Sequence, residues 1–122
     1  AYIKWGENLL KKIKGMFAFA IYDLRNKKIF CARDHFGQKP LFYYFHNKNF
    51  VFSSELSSLI INPLIKKDLC FTSILKYLHY DSFTGESTPV KNCFKLLPAH
   101  SLTFDIKSGK ITTKKYWTRK IL

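Results

Sequence analysis

Met16-Phe17-Ala18-Phe19-Ala20-Ile21-Tyr22-Asp23-Leu24 is the stretch that decides the fold class. In a strand, successive side chains point to opposite faces. The odd face here (Phe17, Phe19, Ile21) is large, and the even face (Ala18, Ala20, Tyr22) is small but still mostly apolar. A strand that is apolar on both faces is covered on both. Small residues on one side let a helix or a second sheet come close, so the pattern predicts an interior strand of a layered fold of helices and sheets.

Upstream, KWGENLLKKIK (4–14) places Trp5, Leu9, Leu10 and Ile13 at helical spacing with lysines opposite, and Gly15 stops that helix. Downstream, a polar turn from Asp23 to Lys27 leads into a returning strand, KIFCARD (28–34). LFYYFH and FVFSSE form a further hairpin around Asn47-Lys48-Asn49, so four antiparallel strands are expected in succession. Ser53 or Ser54 is expected to cap the helix ELSSLII, with Glu55 in its first turn and Asn62-Pro63 at its end. FTSILKYLHY is a second helix, expected to begin at Thr72 or Ser73. A Gly/Pro/Ser/Thr loop over 81–92 follows. CFKLLPAHSLTFDI leads through Pro98 into a strand, and a last hairpin spans Ser108 to Tyr116.

Between the second and third strands lies RDHFGQKPL (33–41), with far more polar and backbone-special chemistry than its neighbours. Gly37 can adopt a positive φ, and Pro40 fixes its own φ and biases Lys39 toward an extended conformation, which together make a sharp corner. Arg33 and Asp34 are expected to form a hydrogen-bonded pair at the strand end.

The chain has 122 residues, 47% of them apolar and 17% aromatic, which is one domain with ample material for a core. The first residue is Ala and the only Met is Met16, which favours a fragment whose start lies upstream. No run approaches the ~18 apolar residues that cross a bilayer, and no signal pattern opens the chain, so a cytoplasmic protein with no membrane partner is expected. Cys31, Cys70 and Cys93 are widely spaced without a CxxC pair, which argues against a disulfide framework or a zinc site. They read as core or semi-buried thiols. The net charge of +13 invites a nucleic-acid reading, but the basic residues are almost all Lys, scattered in ones and twos, with only Arg25, Arg33 and Arg119 for bidentate contacts. No nucleic-acid partner is expected. His35, His46, His79 and His100 lack metal-ligand spacing, and Ser53-Ser54-Glu55 lacks the context of a hydrolase nucleophile.

Together, GMFAFAIYD (15–23), RDHFGQKPLFYY (33–44), SEL (54–56) and LPAHSLTFD (97–105) resemble the second half of the glutaminase domain of glutamine-hydrolysing asparagine synthetases, in that family's order and spacing. The G-M-F-A-F-A-I-x-D, R-D-x-F-G-x-K-P-L-x-Y and S-E-L blocks are jointly specific for class II glutamine amidotransferases. Where the family usually has Gly before the His of LPAH, this chain has Ala99. The resemblance implies an α+β fold, a four-layer αββα N-terminal-nucleophile hydrolase sandwich of antiparallel sheets that is incomplete in this chain. It implies a partial amidotransferase domain over 1–106, then a final hairpin and the start of a linker to a missing synthetase domain over 107–122.

The family's N-terminal Cys attacks glutamine with its own α-amino group as base, and ammonia passes to a domain that amidates aspartate. The nucleophile falls upstream of Ala1 in that pattern. Cys31, inside a strand and without an adjacent α-amino group, does not replace it. By the same resemblance Arg33, Asp34, Gly37, Lys39, Pro40, Ser54 and Glu55 are the candidates for supporting the site or lining the domain boundary. Glutamine and aspartate are the implied substrates, and a homodimer is a further expectation. ATP and Mg are implied only for the missing domain, with no cofactor or metal on this chain. A fragment of another class II amidotransferase and a non-enzymatic basic binding module are the competing readings.

Overall fold

A computed structural model describes residues 1–83 and 85–121. Thr84, inside the loop expected over 81–92, lies outside the described residues, as does Leu122. Helix α1 (Tyr2–Trp5) runs into a 3-10 turn (Gly6–Lys11), followed by β1 (Ala18–Asp23), β2 (Lys28–Arg33), β3 (Phe42–His46) and β4 (Asn49–Ser53). Helices α2 (Leu56–Ile60) and α3 (Phe71–Tyr80) come next, then β5 (Cys93–Lys95), β6 (His100–Asp105) and β7 (Lys110–Lys115). The architecture is α+β with two antiparallel sheets, ordered β1-β2-β6-β7 and β4-β3-β5.

Both faces of β1 are covered, and by different things. Ala18 and Ala20 pack on a core shared by Cys31, Leu41, Tyr43, Leu96, Leu102 and Phe104, where the two sheets meet. Phe50 and Phe104 stack across that boundary with centroids 5.0 Å apart. Phe17, Phe19 and Ile21 turn the other way, onto Leu9, Leu10 and Phe30. The small face therefore accommodates the second sheet and the large face meets the N-terminal helical segment. Within its sheet, however, β1 is the outermost strand among the described residues and not an interior one. A residue pattern reports what lies above and below a strand, not what lies beside it. The outer face of the second sheet carries Tyr44 and Cys93 against Leu59 and Ile65.

Several other expectations are corrected. The first four strands follow one another in sequence but divide between the two sheets, because the chain leaves the first sheet at the 33–41 corner. The helix expected over 4–14 is one α-turn followed by a 3-10 turn. Gly6 at φ 56° breaks the α ladder, yet Leu9 and Leu10 still reach the core while Trp5 stays partly exposed. Neither serine caps α2. Glu55 occupies the N-cap in an extended conformation, and Ser53 Oγ accepts the Glu55 N–H at 3.3 Å one residue before the helix begins. Helix α3 starts from Cys70 instead of Thr72 or Ser73. The Leu69–Val90 bridge and the Cys70 N–H bonded to the Pro89 carbonyl at 2.8 Å fix that start from outside the helix. The short strand β5 was not foreseen, because CFK is too brief to show a period.

Two acidic residues tie the outer layer to the first sheet. Glu7 lies 3.2 Å from Lys28 and 3.3 Å from Lys114, joining the N-terminal segment to β2 and β7. Asp23 accepts the N–H groups of Arg25 and Asn26, the Asn26 amide and the Tyr2 hydroxyl. Those hydrogen bonds, led by the Asn26 side chain, pull its carboxyl down to about 2.

Candidate functional site

The corner from Arg33 to Leu41 begins where β2 ends. In extended backbone, neighbouring side chains leave on opposite sides, so Arg33 and Asp34 do not form the expected hydrogen-bonded pair. Each instead takes up the backbone of the corner. The Arg33 guanidinium donates to the carbonyls of Lys39 (Nε, 2.7 Å), Leu96 (Nη1, 2.7 Å) and Gly37 (Nη2, 2.8 Å). The Asp34 carboxylate accepts the N–H groups of Phe36 (3.1 Å), Gln38 (2.9 Å) and Lys39 (2.9 Å). The cation satisfies carbonyls, the anion satisfies amides, and the intervening loop is closed from both sides.

Asp34 is 1% exposed, making it the most buried charged side chain among the described residues. Burial pushes its carboxyl up, but the amides of Gln38, Lys39 and Phe36 outweigh that and hold it below the usual carboxylate range. Burial draws the Arg33 guanidinium down, partly offset by the charge of Asp34. The two charges therefore interact without touching.

Main-chain bonds carry the brace into three further segments. Asp34 N–H donates to the Phe17 carbonyl at the entrance to β1, and the Asp34 carbonyl accepts from Ala99 N–H at 2.9 Å. Leu96 N–H donates to the Leu41 carbonyl. From the end of the chain, the Tyr116 hydroxyl donates to the Arg33 carbonyl, and burial pushes that phenol up to about 12. Over the outside, the His35 ring is edge-on to Phe17, Tyr116 and Trp117, and Phe36 is edge-on to Trp117. His35 is thus a packing residue.

Of the sequence candidates, Arg33, Asp34, Gly37 and Lys39 come together in one hydrogen-bonded unit, with Pro40 leading out of it. Gly37 sits at φ 66°, where a Cβ would lie 2.7 Å from Pro98 Cγ and 3.0 Å from Arg33 Cζ. Ser54 and Glu55 reach the same end of the second sheet, since Phe42 pairs with Ser53. Both are exposed, and among the described residues neither bonds to the Arg33–Asp34 unit nor pairs with Lys39. Leu96, Pro98, Ala99, Tyr116 and Trp117 complete the corner and were not singled out for it. Their signal lay 63 to 84 residues downstream, where no local pattern connects them to Arg33.

Chemically the corner is a brace. Its strong donors and acceptors are spent on the backbone, and the thiol behind it is inert, because burial pushes Cys31 up to about 12. Cys93 is raised to about 11 by the same cause. Cys70 differs: it is half-buried, and the Ser73 hydroxyl, donating to its sulfur at 3.3 Å, lowers its pKa. Iodoacetamide at pH 8 is therefore expected to alkylate Cys70 well before Cys31 and Cys93, as read by peptide mass spectrometry. Labelling of Cys31 at the rate of Cys70 would contradict this description of the core. At the other end of β1, a groove of about 940 Å³ opens between the N-terminal helical segment and the strand, lined by Leu9, Ile13, Phe19 and Ile21 with Glu7 and Asp23 at its margin.

Residues 1–117 match the glutamine amidotransferase domain family. Over 118 residues the chain is 34% identical to a putative glutamine-hydrolysing asparagine synthetase 2 of Methanocaldococcus jannaschii, covering 95% of this chain and 23% of that protein. It is 33% identical over 118 residues to glutamine-hydrolysing asparagine synthetase 3 of Bacillus subtilis, covering 96% of this chain and 19% of that protein. Identity rises to 54% over 41 residues against a putative glutamine-hydrolysing asparagine synthetase of Mycobacterium tuberculosis, covering 34% of this chain and 6% of that protein. The chain spans about a fifth of the length of the first two relatives. The braced corner and the two facing sheets thus fall within one matched stretch, and the chain belongs to the glutamine amidotransferase domain family.

Proposed function

We propose that this chain is part of the glutamine-hydrolysing unit of an asparagine synthetase. The observation that carries the reading is that the family match over residues 1–117 coincides with one continuous fold centred on two facing antiparallel sheets. In the complete protein, a cysteine thiolate outside this chain adds to the carboxamide carbon of glutamine. The tetrahedral adduct expels ammonia, with the leaving nitrogen protonated as the C–N bond breaks, and water hydrolyses the resulting thioester to glutamate. Ammonia then replaces the leaving group of an activated aspartate to give asparagine. In this reading the fold completes as a four-layer αββα sandwich in a cytoplasmic enzyme.

ATP and Mg would serve only the aspartate-activating part. Among the described residues no three His, Cys, Asp or Glu side chains come together, so these residues do not fit a metal ion and no step runs through one here. The chain's own contribution is positional. Arg33 and Asp34 hold the corner rigid between the two sheets, Gly37 admits the Pro98 strand approach, and Lys39, Pro40, Ser54 and Glu55 shape the exposed rim beside it.

The test uses the complete protein supplied with glutamine, aspartate and Mg-ATP, with glutamate and asparagine measured together. Both products are expected, and Cys31→Ala is expected to leave glutamate release within twofold of the parent. The isolated 122-residue chain is expected to release no glutamate. Glutamine turnover by this chain that Cys31→Ala abolishes would overturn the assignment of the nucleophile, and a complete protein that releases no glutamate would overturn the function.

A further inference from the structure

We infer that the apolar stripe Phe71–Leu75–Leu78 on α3 is the face on which the synthetase part of the complete protein docks, an inference that rests on the function proposed above. At 100° per residue these three side chains fall within about 60° of one another, one continuous seam along the helix. They are 74%, 66% and 73% exposed. Ser73 is the only buried residue of α3, and Ile74 is half-buried beside it. The apolar arc of the helix therefore extends well past the part that the rest of this chain covers.

Fraying does not account for the exposure. The helix is pinned at its start by the Cys70–Pro89 hydrogen bond and the Leu69–Val90 bridge. At its end, Asp81 in a left-handed conformation donates its N–H to the Tyr77 carbonyl, and Tyr77 stacks on Phe83 at 4.7 Å. A ten-residue helix gains most of its stability from burying its apolar face. One held in place with three adjacent large side chains in water is presenting them to a partner.

Length and charge favour a covalently continuous partner over a second copy of this chain. The M. jannaschii and B. subtilis relatives have more than three quarters of their length outside the region this chain matches, enough for a separate catalytic unit. A covalently continuous partner docks at high effective concentration, so a small patch is enough. A second copy of this chain would need about 800 Å² from each side, whereas three side chains of roughly 200 Å² each, about three-quarters exposed, supply some 450 Å². Two copies would also meet with +13 on each. The solvent side of the stripe is bordered by Lys76 and His79, so the matching surface of the synthetase part is apolar at its centre and carries carboxylates at its rim.

The experiment places p-benzoylphenylalanine at position 75 of the complete protein, irradiates it, and maps the adduct by mass spectrometry. In parallel, Leu75→Glu and Leu78→Glu are compared with Leu24→Glu, an equally exposed leucine in the β1–β2 turn. An intramolecular adduct to the synthetase part is expected, with the glutamate-to-asparagine ratio raised at least fivefold by Leu75→Glu or Leu78→Glu and unchanged by Leu24→Glu. Asparagine formation from added ammonium should survive in all variants. An adduct between two copies, an adduct within the amidotransferase part, no adduct, or an unchanged ratio in both stripe variants overturns the inference. Failure of the parent protein to make asparagine from glutamine overturns the proposed function instead, and the adduct then reports only whether the face is an interface.

Discussion

Asp34→Ala is expected to lower stability by about 3–5 kcal/mol, because the N–H groups of Phe36, Gln38 and Lys39 lose their acceptor together and each unsatisfied donor costs ~1–3 kcal/mol. For a domain of this size that is a fall in Tm of about 10–20 °C. Lys27→Ala, in an exposed turn, is expected to shift Tm by less than about 2 °C. Circular dichroism melts of the two variants decide the matter, and an Asp34→Ala melt within about 2 °C of the parent would reduce the corner to an ordinary solvated turn. The same carboxylate gives stability a pH dependence. Its folded pKa lies below the ordinary value of about 4, so its contribution is complete above that pH and is lost as pH falls through the folded value. Asp34→Asn should therefore flatten the loss of stability below pH 4, measured by urea unfolding at stepped pH.

Gly37→Ala is expected to cost about 2–4 kcal/mol. A left-handed conformation penalises any Cβ by ~1–2 kcal/mol, and here the added methyl meets a rigid proline ring and a guanidinium clamped by three hydrogen bonds. Overpacking of that kind adds ~1–3 kcal/mol. Ala99 makes the contrast. It holds φ 59° with a Cβ already accommodated, at 3% exposure. Ala99→Gly relieves the left-handed penalty and gives up backbone entropy and a buried methyl, so a change below about 1 kcal/mol is expected. Equal Tm losses in the two variants would show that neither position is set by local space.

Asp34 and Ala99 also show how far the sequence could be read. The resemblance marked both the RDHFGQKPL corner and the Ala in place of Gly, and the structure puts these two in contact through the Ala99 N–H and the Asp34 carbonyl. The two-faced pattern of residues 17–22 implied cover on both sides, and the structure supplies the second sheet over the small face and the N-terminal helical segment over the large one. What could not be read was partnership. Adjacency in sequence suggested that Arg33 and Asp34 pair, while backbone geometry sends them apart. The start of α3 is set by a bridge to Val90 twenty-one residues away, and the outermost position of β1 depends on which strand lies next to β2. Each is a long-range choice that no window of neighbouring residues encodes.

The strand order carries a consequence for how the chain is made. β2 pairs with β6, yet β3, β4, β5 and both later helices are laid down between them. Loop closure across such a span is slow compared with forming the β1–β2 and β3–β4 hairpins. On a ribosome adding about 5–20 residues each second, the inner edge of β2 waits several seconds for its partner, with Phe30, Cys31 and Ala32 unshielded. β7 meets the same hazard differently, since Lys110, Lys114 and Lys115 discourage pairing along its outer edge. β2 has no such guard beyond Lys28 and Arg33 at its ends. The nascent protein is therefore most prone to mispairing after the corner has emerged and before His100 has, an interval that slower elongation through residues 42–99 would lengthen.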